Sequence, residues 1–185
     1  VGLQALKDQQ NTPVQQDLVV GERAFMLDLI LIGLAIGIGG TIAMDIWAIV
    51  LNKAFRQPLP NWGNVGRWFW HLGQGKFSHS SIANAAPYAN EAALGWFMHY
   101  AIGALYGVFV TLIGGKAWID APSFGIPLIV GLVTVGAGWF ILQPGLGIGV
   151  AASKTPNPTK VRMLNIIAHV IFAMGMYGAA LLIAA

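Results

Sequence analysis

Asp45, His99 and His169 are the side chains best able to do chemistry in this sequence, because each stands inside a long apolar run. A carboxylate and two imidazoles can exchange protons near neutral pH, ligate a metal or a haem iron, or satisfy one another as a buried network. An ionisable group among apolar side chains, left without a partner, costs on the order of several kcal/mol, so each of the three needs one. Thr41 stands one helical turn before Asp45 and Asn165 one turn before His169, and Gln143 closes the third apolar run, so all three are candidate members of the same polar layer.

Three chemistries compete for this layer. The favoured one is a satisfied network, in which Asp45 accepts a hydrogen bond from a histidine or from Thr41 and helps to hold the bundle together. The second is a proton or ion path through the same residues. The third is haem or zinc held at His99 and His169, with Asp45 as a further zinc ligand; two histidines this far apart are a weak signature, and no cofactor is expected. Other constellations carry less. Ser80 and Ser81 lack a base and an acid arranged around them, so no catalytic residues are assigned and no enzyme is expected. Gln143-Pro144-Gly145-Leu146-Gly147-Ile148-Gly149 imitates a phosphate loop but lacks the preceding strand and the following acidic residue. Here Pro144 is expected to end a helix. His71 and His79 read as interfacial or loop residues. The absence of cysteine removes disulfides and thiolate ligands.

The elements that position these residues follow from composition. The chain is 56% hydrophobic and only 9% charged, against roughly 25% charged in ordinary soluble domains, and its mean hydropathy is +0.67. Four runs reach the roughly 20 residues needed to cross a hydrocarbon core, at about 27–51, 92–113, 124–142 and 163–184. Continuous apolar sequence without alternation argues for helices over a barrel. The expected fold is an all-α integral membrane protein, a four-transmembrane-helix bundle over residues 27–185 with a polar N-terminal tail over 1–26. Val1 in place of methionine leaves room for an upstream segment.

Small residues mark the packing faces. Gly33, Gly37, Thr41 and Asp45 repeat every four residues, as do Gly95, His99, Gly103 and Gly107, and such ladders let helices approach closely. Val65, Trp68, Phe69 and Leu72 recur at helical spacing between the first two spans, with Asn64, Arg67 and His71 on the other side. Together with Trp62 and Trp70 they predict an amphipathic helix lying at the membrane interface, an aromatic binding site being the minority reading. Lys53, Arg56, Arg67 and Lys76 follow the first span and Lys154, Lys160 and Arg162 the third. The opposite side has Lys7, Arg23 and Lys116 set against Asp8, Asp17, Glu22 and Asp120. Positive charge is retained in the cytoplasm, so both termini are expected on the periplasmic side of an inner membrane. A net charge of +3 spread over so apolar a chain gives no reason to expect nucleic acid.

Three stretches carry a family resemblance. They are Asn61-Trp62-Gly63-Asn64-Val65-Gly66-Arg67-Trp68, Gln143 to Gly147 with Ala151 to Pro158, and Ala168-His169-Val170-Ile171-Phe172-Ala173-Met174-Gly175-Met176-Tyr177. The chain resembles a bacterial membrane family catalogued as domain of unknown function 2938. The resemblance implies a bacterial multi-helix membrane protein and carries over no activity and no site residues. The leading functional expectation is a non-catalytic accessory subunit of a larger bacterial membrane complex, respiratory or photosynthetic, surrounded by lipid. It would bind other membrane subunits through its tail and its small-residue helix faces. The alternatives are a small proton, ion or solute transporter using Asp45, His99 and His169, and a haem- or metal-binding protein.

Overall fold

The computed structural model describes residues 13–185, and these are helical apart from turns and connections. The first twelve residues of the polar tail, with Lys7 and Asp8, lie outside the described residues. Helix α1 spans Pro13–Phe55, so the tail becomes helical well before residue 27. At 1.5 Å per residue its 43 residues reach about 65 Å, roughly twice a hydrocarbon core. Helix α2, Trp62–Gly73, is started by Asn61, whose side chain accepts from the Asn64 N–H at 3.1 Å. Helix α3 spans Glu91–Asp120 and is broken at Gly115, whose φ of 63° ends the regular part close to the predicted boundary. Helix α4 is Gly125–Ala137, and α6 is Pro158–Ala184, with Asn157 accepting from the Lys160 N–H and proline in its first turn.

Pro144 does not end a helix. After α4 the chain widens into a π turn, Gly138–Leu142, and continues as a short helix α5, Gln143–Leu146. Proline has no N–H to give, and its ring collides with the carbonyl four residues back in a regular helix; the wider turn relieves both demands. The stop comes at Gly147, in the left-handed region at φ 88°.

The helices of α1, α3, α4 with its extension, and α6 are each long and apolar enough to cross a membrane. They form a ring in which α1 packs on α3 and α6, and α4 packs on α6 and α3. Glycine determines how closely α1 and α3 approach. A Cβ on Gly33 would lie 2.6 Å from Val108 Cα, one on Gly37 2.7 Å from Ala104 Cα, and one on Gly107 2.6 Å from Gly37 Cα. The Thr111 hydroxyl donates across the same interface to the Leu29 carbonyl at 2.7 Å. On the other side of α1, Gly39 and Gly40 face Gly175 of α6. The buried core follows these contacts, with Ile36, Val110, Phe172, Ala173 and Met176 at its centre.

Gly107→Ala is expected to destabilise the bundle by about 1–3 kcal/mol, the usual range for overpacking. Gly178→Ala, where an added methyl meets nothing within 4 Å, should be close to neutral. Thermal unfolding of both variants in mild detergent checks the difference.

Candidate functional site

The short helix α2 closes one end of the ring and brings the site together. It crosses α3 where Gly66 meets Glu91 and Gly95, and a Cβ on Gly66 would stand 2.6 Å from the Gly95 nitrogen. Arg67, adjacent to that crossing, fastens it. Its Nε donates to Glu91 Oε2 at 2.7 Å and one Nη to Oε1 at 2.8 Å. The other Nη donates to the carbonyls of Ile82, Ala83 and Ala85 at 3.1–3.2 Å. The Glu91 carboxylate holds the Arg67 guanidinium above its ordinary pKa. Arg67, expected on the water-facing side of an interfacial helix, is therefore a clamp on the connection to α3.

Asp45 is the centre of the polar layer. One carboxylate oxygen accepts from His99 Nε2 at 3.0 Å and the other from the Tyr100 hydroxyl at 2.8 Å. The His99 and Asp45 side chains are 11% and 18% exposed, and these two bonds give the largely buried acid a partner on each oxygen. His99 is held flat against Trp62 of α2, with ring centroids 3.9 Å apart and planes at 27°, and Trp96 meets it edge-on. Thr41 does not join the acid: its hydroxyl donates to the Gly37 carbonyl at 2.8 Å.

His169 is separate from this triad. It bonds back along its own helix, with Nδ1 donating to the Asn165 carbonyl at 2.9 Å. The Asn165 side chain gathers a second polar group, accepting from Gln143 Nε2 at 2.8 Å and from Trp139 Nε1 at 3.1 Å. Gln143 Oε1 is buried without a partner among the described residues. The predicted layer is thus two groups, Asp45–His99–Tyr100 and Gln143–Asn165–Trp139, with His169 on the helix of the second.

A cavity of about 480 Å³ lies between them. His99 and His169 both line it, from α3 and α6. Thr41 contributes from α1, and Thr134, Ala137 and Gly138 from α4 and the π turn. Helix α2 turns Trp62, Val65, Trp68, Phe69 and Leu72 into it, so the apolar face of this amphipathic helix is a wall of the cavity. Leu105 and Ile141 also line it, yet they are 48% and 60% exposed, so the cavity reaches the outer surface between α3 and the π turn. Trp70, on the far side of α2, is exposed and stacks on Tyr88. His71, expected on the polar side, is buried and donates from Nδ1 to His79 Nε2 at 2.8 Å; His79 Nδ1 in turn donates to the Gly145 carbonyl at 3.1 Å. This chain ties α2 to α5.

A family model described as "Protein of unknown function (DUF2938)" matches residues 34–183. The chain belongs to that family. The matched region contains every residue of the two polar groups and of the cavity wall. No curated protein and no solved structure matches the chain. The family description assigns no activity, so the functional reading rests on geometry. Tyr100, Trp139 and Glu91 in its clamping role are not among the residues the sequence singles out, and Trp62, singled out for the membrane interface, stacks on His99. Tyr100 neighbours His99, and that adjacency was the one available signal.

Lysine cannot reproduce the five hydrogen bonds of Arg67. Arg67→Lys is expected to destabilise the fold by about 1–3 kcal/mol and to speed amide exchange over residues 81–90, measured by hydrogen–deuterium exchange. Lys53→Arg should change neither.

Proposed function

We propose that this protein is a multi-pass bacterial inner-membrane protein that binds a small, mostly apolar molecule in the cavity beneath α2 and serves its storage or passage. The observation that carries the reading is the cavity itself. Its volume falls within the roughly 300–1,000 Å³ typical of ligand sites, its walls are aromatic and aliphatic, and two histidines on facing helices punctuate it. The lateral opening at Leu105 and Ile141 suits entry from the acyl chains. The basic residues Lys53, Arg56, Arg67, Lys76, Lys154, Lys160 and Arg162 gather at the α2 end, which favours a cytoplasmic roof and periplasmic termini. No step needs a catalytic group. His99 and His169 act as recognition residues and Asp45 holds His99 in place, the same three that a transport mechanism would use.

A second reading is supported by a different feature. Residues 17–28 of α1 are exposed throughout, and Leu18 and Val20 are 64% and 65% exposed. A helical extension beyond the bundle that exposes apolar side chains between charged ones suits an accessory subunit docking on a neighbour in a membrane complex. The glycine faces are unsuited to that task, because Gly33, Gly37, Gly95, Gly103 and Gly107 already meet backbone or side chains of this chain.

Protein purified in mild detergent and extracted with organic solvent is expected to release a neutral amphipathic compound at near one equivalent, identified by mass spectrometry. Ala137→Trp, which fills the cavity, should purify folded and without it. Bulk phospholipid alone from both proteins would overturn the binding reading, and a Soret band would replace it with haem held by His99 and His169. Removing residues 1–24 should leave ligand content unchanged; loss of a defined cross-linked neighbour in native membranes would support the accessory role.

A further inference from the structure

The hydrogen bonds already made at the cavity wall restrict what a ligand can offer. A carbonyl oxygen accepts, so His169 carries its proton on Nδ1, directed at the Asn165 carbonyl. In the neutral ring this leaves Nε2 with a lone pair. The Asp45 carboxylate accepts from His99 Nε2, and by the same rule the neutral His99 ring keeps its lone pair on Nδ1. Neither nitrogen has a partner among the described residues, and both rings line the cavity.

Most other protons on the wall are committed within the protein. Thr41 donates to the Gly37 carbonyl, Thr134 to the Gly131 carbonyl at 2.9 Å, and the Trp68 indole to the Phe77 carbonyl at 2.9 Å. The two histidines therefore present acceptors. A ketone, quinone or ether oxygen also only accepts, so even where it finds a donor elsewhere on the wall it leaves both imidazole lone pairs unsatisfied in apolar surroundings. A hydroxyl donates to an imidazole and still accepts, and the Tyr106 hydroxyl and the Trp62 indole N–H on the same wall can supply that second bond. An ammonium would bring a full charge against an acid that is already bonded twice.

Resting on the binding role proposed above, we infer that the cavity selects a neutral apolar alcohol or phenol, whose O–H donates to His99 Nδ1 or His169 Nε2. Trp62, Phe69, Tyr106 and Phe172 supply flat walls for its body. The Asp45 and Tyr100 contacts act at one remove: they set which nitrogen of His99 is free and hold the ring in place.

The test uses 4-octylphenol and its methyl ether, 4-octylanisole, titrated into the full chain in lipid nanodiscs and read by tryptophan fluorescence and calorimetry. The phenol should bind about tenfold or more tightly than the ether, the size of one buried unsatisfied group. In His169→Phe and His99→Asn, with wild-type unfolding temperature as the entry condition, that preference should shrink. Wild type alone already decides the main point. Equal affinity for the two probes overturns the hydroxyl inference while leaving the binding role standing. Binding of neither probe, or equal binding by Ala137→Trp, overturns the binding role and the inference with it.

Discussion

The close contact of α1 with α3 is the constraint from which the site follows. Gly33 lies against Gly107, Gly37 against Gly103 and Gly107, Thr41 against Gly103, and Asp45 against His99. Gly33, Gly37, Thr41 and Asp45, spaced by four along α1, run against Gly107, Gly103 and His99, spaced by four in the reverse direction along α3, as in two antiparallel helices facing each other along one stripe. A side chain larger than hydrogen at the glycines would spread the axes. The hydrogen bond between Asp45 and His99 would lengthen with them, since a carboxylate on a short stem cannot reach across a wider gap.

The second constraint is the fastening of α2. A twelve-residue helix gains little stability alone, so its position depends on what holds it. Gly66 and Gly95 bring it against α3, Arg67 binds Glu91 and three carbonyls, and the His71–His79–Gly145 chain secures its far end. These fastenings aim Trp62 at His99, and the stacking leaves that imidazole little freedom to turn. The polar layer and the lid of the cavity are thus one assembly.

Much of this was legible in the residues. The four long helices followed from apolar run length, and the glycine ladders and Asp45 could be picked out because polar or small residues at four-residue spacing stand out in apolar sequence. What sequence could not supply was partner choice across helices. Whether His169 would turn toward Asp45 or back to the Asn165 carbonyl depends on a rotamer, and periodicity carries no information about that. Arg67 and His71 were misplaced for a related reason: a polar stripe on a short helix reads as water-facing, yet here the connection over residues 76–90 folds back over it and supplies carbonyls and a second imidazole. Pro144 was misread because the rule that proline ends a helix assumes a regular turn before it.

That irregular turn has a consequence for how the two halves of the site are aligned. The π segment at Gly138–Leu142 amounts to one surplus residue in the coil, and one residue is worth about 100° of rotation. Everything C-terminal to it is swung by that angle relative to Thr134 and Ala137. Removing the surplus would rotate the Gln143 amide away from Asn165 and carry Ile141 off the cavity rim. A single insertion in the helix is thus enough to let one continuous rod present its threonine to the cavity and its glutamine to the neighbouring helix.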